Sequence, residues 1–144
     1  MAGCHMLDVG TGTGILAILG ALFGAERVSA MDIEPHAVES AGRNAEASGV
    51  SDRIELHCGS LERLNLAPPD VIVANLTPSV MIQLFESMAR LLREGGFMVL
   101  AGFEASSETA SWISEQAERS AMHIEALFET QGWAGVVLQK GRQA

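Results

Sequence analysis

Cysteine, positive charge and long apolar runs are all scarce in this chain, and each scarcity excludes something. Cys4 and Cys58 are the only two cysteines. They are too few and too far apart for a disulfide framework or a metal site, so free, buried thiols are expected. Nine Lys and Arg residues stand against eighteen Asp and Glu, for a formal net charge of -9. The averaged field repels phosphate backbones, which makes direct nucleic-acid binding a poor expectation and a basic protein or a cation a better one. Charged residues make up 19% and apolar residues 48% of the chain, a balance that describes an ordinary globular interior and excludes a mainly disordered polypeptide. The longest apolar stretch, Ile15 to Leu19, is interrupted at Gly20, far short of a membrane span. A charged-then-apolar leader is missing as well, so the expected setting is the cytoplasm. With no linker, repeat or low-complexity tract, the 144 residues are expected to form one domain, residues 1–144.

What is present is a regular alternation of strand-like and helix-like segments. His5 to Val9 reads as a central strand, Ile15 to Phe23 as a helix pressed on a sheet, and Arg27 to Met31 as a second strand. Glu34-Pro35 opens a helix running to about Ser48, with Val38, Ala41 and Ala45 inward, because proline suits a first turn where its missing N–H has no partner. Ile54 to Cys58 alternates like a strand near a sheet edge, and Asp70 to Ala74 is apolar enough to be buried on both faces. Thr77-Pro78 opens a long helix, with Met81, Leu84, Phe85, Met88, Leu91 and Leu92 on one side, ending at Gly95-Gly96. Phe97 to Ala101 is a fifth strand, and Ser107 to Ala121 a weaker helix with Ala110, Ile113 and Ala117 inward. The strand-like runs His123 to Thr130 and Trp133 to Lys140 are separated only by Gln131-Gly132, a turn that joins antiparallel neighbours. Five β-α units and a hairpin predict a mostly parallel sheet with helices on both faces and one reversed strand.

The first strand runs straight into Gly10-Thr-Gly-Thr-Gly14 and then a helix. Glycines here let a ligand approach the backbone closely, and free N–H groups point outward. A dinucleotide site asks for G-x-G-x-x-G with a pyrophosphate on the helix start. The tighter G-x-G-x-G spacing, preceded by Asp8, suits a ligand without phosphates whose amino-acid end lies across the loop. Asp32 ends the second strand about twenty residues on, where a carboxylate accepts hydrogen bonds from both ribose hydroxyls. Ile33 beside it packs on an adenine face or fills the core.

Leu7-Asp-Val-Gly-Thr-Gly-Thr-Gly-Ile-Leu16, Gly24-Ala-Glu-Arg-Val28, Asp32-Ile-Glu-Pro35 and Ala74-Asn-Leu-Thr-Pro78 resemble successive motifs of class I S-adenosylmethionine-dependent methyltransferases. More narrowly, they resemble the catalytic domain of PrmA-type ribosomal protein methyltransferases, over essentially the whole chain. The resemblance implies a Rossmann-like, doubly wound α/β sheet with a C-terminal antiparallel β-hairpin, and S-adenosylmethionine as cofactor. It implies that Asp8, Gly10, Thr11, Gly12, Thr13 and Gly14 hold the methionine moiety, that Asp32 and Ile33 hold ribose and adenine, and that Ser60 and Leu61 flank the adenine. Asn75 then sits beside the transferred methyl group as the catalytic candidate, unless it merely caps the next helix. Ser60 stands where this class often has aspartate. Asn75-Leu-Thr-Pro78 is not the Asn-Pro-Pro-aromatic motif of enzymes acting on planar nitrogens, and the acidic pair of arginine methyltransferases is missing.

These departures count against planar-nitrogen and arginine methylation, and the resemblance implies an amine nitrogen of a protein side chain or terminus as the acceptor, with a basic ribosomal protein as the implied substrate. The resemblance implies an N-terminal substrate-recruiting region in enzymes of this type, and the sequence starts almost on the first strand, which leaves open a catalytic fragment or a stand-alone relative with another substrate. A small-molecule methyltransferase and a non-catalytic cofactor-binding module are the alternatives, with a nicotinamide dehydrogenase more distant. His5, His36, His57 and His123 have no metal-ligand spacing, so no metal is expected. Trp112 and Trp133 are expected to fill core or hairpin positions.

Overall fold

The computed structural model describes residues 3–142. Seven strands form one sheet in the order β3-β2-β1-β4-β5-β7-β6, comprising β1 (His5–Val9), β2 (Arg27–Asp32), β3 (Ile54–Cys58), β4 (Val71–Asn75), β5 (Phe97–Glu104), β6 (Met122–Thr130) and β7 (Trp133–Lys140). Only β7 runs against its neighbours β5 and β6, the single reversed strand that the sequence predicts. All five residues of β1 are buried, as befits a strand paired on both sides and covered on both faces.

Helices α1 (Ile15–Leu22) and α2 (Pro35–Ala47) lie over β1 to β3, whereas α3 (Pro78–Leu91) and α4 (Ser107–Arg119) cover the opposite face. Two cores result. Met6, Ala17, Ile18, Ala21, Val28 and Ala45 fill the smaller, and Leu7, Ile72, Phe85, Met88, Leu100, Ile113 and Leu138 belong to the larger. Pro35 and Pro78 open their helices as expected, and the Ser106 hydroxyl caps α4 by accepting from the Thr109 N–H. Gln131 and Gly132 both take positive φ (52° and 82°), the type I′ geometry whose twist suits a two-residue hairpin.

Several expectations are corrected. The third β-α unit has no α-helix: between β3 and β4 only Leu61–Arg63 forms a 3-10 turn, and Pro68-Pro69 ahead of β4 cannot supply helical N–H donors. The cysteines are free but not buried, Cys58 being exposed on the edge strand and Cys4 half-buried. Helix α3 stops at Leu91 rather than at the glycine pair, because buried Leu92 turns to extended backbone while Lys140 Nζ from β7 donates to the Ala89 and Leu92 carbonyls. Ala110 is exposed instead of inward. Trp112 does pack inward, edge-on to Phe85 with ring centroids 5.6 Å apart. Trp133 takes the expected hairpin position as the first residue of β7, with its side chain 57% exposed.

Candidate functional site

β1 pairs with β2 on one side and β4 on the other, so the chain's topology reverses at this point and leaves a crevice at the strands' carboxyl ends. The glycine loop fills that crevice. Gly10, Gly12 and Gly14 all adopt positive φ (75°, 54° and 84°), a conformation costly for other residues. A Cβ at Gly14 would also meet Ala41 of α2 at 3.0 Å, whereas one at Gly12 meets nothing within 4 Å. Gly12 is thus where the loop is open to an approaching group.

Hydrogen bonds fix the loop from three sides. The N–H groups of Gly10 and Thr11 both donate to the Met31 carbonyl at the end of β2 (3.0 and 2.8 Å). Asp32 Oδ2 accepts from the Gly12 N–H and Oδ1 from the Glu34 N–H, each at 3.0 Å. Asn44 of α2 donates to the Thr13 carbonyl at 2.8 Å. Asn44 was not singled out in the sequence, because an asparagine in mid-helix carries no pattern of its own.

Asp8 is the internal latch. It is buried, and its Oδ2 accepts from the Thr11 hydroxyl (2.7 Å) and the Ala17 N–H (3.1 Å). Its Oδ1 is equally buried and has no partner among the described residues. Burial raises the Asp8 pKa to about 6 despite these two hydrogen bonds, with nearby Asp32 adding to the rise. A buried, unpaired carboxylate oxygen is costly, and a cationic donor placed against it relieves that cost.

The other anticipated residues converge on the same edge. The Gly59 N–H donates to the Asp32 carbonyl (2.9 Å), which sets Ser60 just past the end of β2. Leu61 buries its side chain in the larger core, so its main chain is what it can present to a ligand. Ile33 is 68% exposed, which removes the core reading and leaves an apolar side chain standing free next to Asp32. Asn75 does not cap α3; that position is Thr77, and no side chain caps it.

Asn75 instead lines a cavity of about 430 Å³ with Ala101, Gly102, Phe128, Thr130 and Trp133. Gly102 makes that geometry possible. Its φ is +100°, and a Cβ there would lie 2.3 Å from the Leu76 carbonyl oxygen and 2.7 Å from Asn75 Oδ1. Sequence reasoning missed this glycine and both hairpin aromatics. A glycine directly after the expected strand Phe97 to Ala101, which the structure extends to Glu104, was the available signal, whereas Phe128 and Trp133 are residue types that more often fill cores.

A sequence model of the ribosomal protein L11 methyltransferase family (PrmA) matches residues 1–141. The chain belongs to the PrmA family. It is 34% identical over 137 residues to the ribosomal protein L11 methyltransferase of Bacillus cytotoxicus, covering 95% of this chain and 43% of that protein. The chain therefore spans less than half the length of this PrmA relative. Among solved structures, the ribosomal protein L11 methylase of Lactobacillus delbrueckii subsp. bulgaricus superposes with a TM-score of 0.88 at 27% identity, over 96% of this chain and 70% of that one. An RNA methyltransferase of Salinibacter ruber, in complex with S-adenosyl-L-homocysteine, shares the fold at 22% identity and a TM-score of 0.77, over 99% and 84% of the two chains. The PrmA fold accordingly includes the mixed seven-stranded sheet and the C-terminal hairpin seen here.

Proposed function

We propose that this chain is the catalytic domain of an S-adenosylmethionine-dependent methyltransferase that acts on an amine nitrogen of a protein, with a ribosomal protein as the substrate class. The observation that carries the reading is Asp8 Oδ1, buried and without a partner among the described residues, beneath a loop that is open at Gly12. The residues fit the cofactor: an α-ammonium suits Asp8, a ribose suits the spare lone pairs of Asp32, and an adenine suits exposed Ile33 and the Ser60 segment. When bound, S-adenosylmethionine supplies an electrophilic methyl group on a sulfonium, which a neutral amine takes by displacement.

What the chain's own residues do follows from the second cavity. An ammonium has a usual pKa of about 10.4 and no lone pair to attack with. The walls of the Asn75 cavity are mostly carbon, and among the described residues no titratable side chain lines them. Such a lining disfavours the charged amine and keeps out competing water. Asn75 Oδ1, against the bare face of Gly102, is placed to accept an amine N–H and so to orient the nitrogen. Phe128 and Trp133 supply flat apolar surface for the aliphatic part of the acceptor. Positioning and desolvation thus do the work, with no side chain required as a general base. The reading also sets the workplace in the cytoplasm, where ribosomal proteins are made.

The test is incubation with tritiated S-adenosylmethionine and purified ribosomal protein L11. Label on the protein, lost in Asn75→Ala, supports the reading. Binding of S-adenosylhomocysteine without label on any protein of a cell extract would leave a cofactor-binding module.

A further inference from the structure

We propose that a cleft between the N-terminal ends of α3 and α4 anchors the acceptor polypeptide, taking a large apolar side chain borne on a basic segment. This rests on the reading of the acceptor as a protein. The cleft has a volume of about 220 Å³, enough for one large side chain. Met81 and Phe103 form its buried base, and Trp112, held edge-on by Phe85, walls it. Ile82, 58% exposed, and the carboxylate of Glu108 line its mouth.

Two observations select the occupant. The first is position. Pro78, on the cleft wall, lies three residues beyond Asn75, and Phe103 in the cleft adjoins Gly102 of the acceptor cavity. The two recesses therefore both lie at the carboxyl end of β5. The second is charge. Asp32, Glu34, Glu62, Glu104, Glu108 and Glu129 all stand at or just beyond the edge where the glycine loop sits, and Arg63 is the only Lys or Arg in a loop leaving that edge. Arg27, Arg119 and Lys140 lie at the opposite ends of their elements, and Arg53 and Arg93 in the segments that lead into β3 and β5 at that opposite edge. A polypeptide approaching this edge meets an acidic rim around an apolar socket, which favours Lys and Arg flanking a Leu, Ile, Met or Phe.

The experiment uses the whole chain saturated with S-adenosylhomocysteine and a fluorescein-labelled peptide of glycine, lysine and arginine around one central leucine. Fluorescence anisotropy compares it with the same peptide carrying serine for leucine. The leucine peptide is expected to bind at least fivefold more tightly. Ile82→Ser, an exposed position that leaves folding intact, removes the preference, and Glu108→Lys weakens both peptides alike. Equal binding of the two peptides, or an unchanged preference in Ile82→Ser, overturns the proposal. So does a dimer in sedimentation velocity that Ile82→Ser dissociates, since a second copy would then own the cleft. If S-adenosylhomocysteine itself fails to bind, the methyltransferase reading falls, while the leucine preference still decides the cleft by itself.

Discussion

The two halves of the site, on either side of the β1–β4 crevice, are built on different principles. On the β1–β2 side, the proposed cofactor half, the crevice is lined mostly by main chain, held by Asp8, Asp32, Asn44 and the Met31 carbonyl. On the β4–β5–β7 side the lining is of side chains, Asn75, Phe128, Thr130 and Trp133, around an open cavity. Leu76 joins the two, with its side chain against Gly10 and its carbonyl against Gly102. A backbone site needs glycine and fixed loops, whereas a side-chain site can vary its walls to suit its substrate.

The largest expected effect tests the joint. Gly102→Ala sets a Cβ against the Leu76 carbonyl, a main-chain atom that cannot swing aside, and adds strain at positive φ. We expect a loss of about 3 kcal/mol in denaturant unfolding. Gly10→Ala meets only the flexible end of Leu76, so about 1 to 2 kcal/mol is expected there. Equal losses would show that the two halves meet Leu76 in the same way.

The next effect belongs to the cofactor half. Asp8 titrates near 3.8 when unfolded and at about 6 in the fold. Between those values the native state holds the proton that the unfolded chain has already released. Stability therefore falls as pH rises from about 4 to above 6, by roughly 3 kcal/mol. Asp8→Asn is expected to flatten that slope in pH-dependent unfolding. An ammonium against Oδ1 favours the ionised form, so S-adenosylhomocysteine binding near pH 6 should release a proton, read from calorimetry in buffers of differing ionisation heat. Proton uptake would place the ammonium elsewhere.

A smaller effect separates the halves. Trp133→Ala should raise the acceptor KM about tenfold, equivalent to about 1.4 kcal/mol, and leave S-adenosylhomocysteine affinity unchanged. Loss of both together would merge the halves into one.

The same division explains what the sequence disclosed. The glycine loop was legible because strand, turn and helix start are local, and glycine at fixed spacing reports backbone geometry directly. Asp32 followed from its distance along the chain, and the β7 reversal from a two-residue turn too short for a crossover. The wall of the proposed acceptor cavity was not legible. Trp133 and Phe128 have the composition of core residues, and their exposure depends on how β6 and β7 meet the end of β5. Asn75 could be located but not distinguished from a helix cap until Thr77 was seen in that position. The missing third helix was hidden because the sequence of residues 59–70 specifies only what it cannot continue.

The most direct test of the account is calorimetric titration of S-adenosylhomocysteine into the wild-type chain and Asp32→Ala. One site per chain is expected, weakened by about 1 to 3 kcal/mol in the variant, with no binding of NAD. Tight NAD binding without a response to S-adenosylhomocysteine, or an affinity indifferent to Asp32, would contradict it.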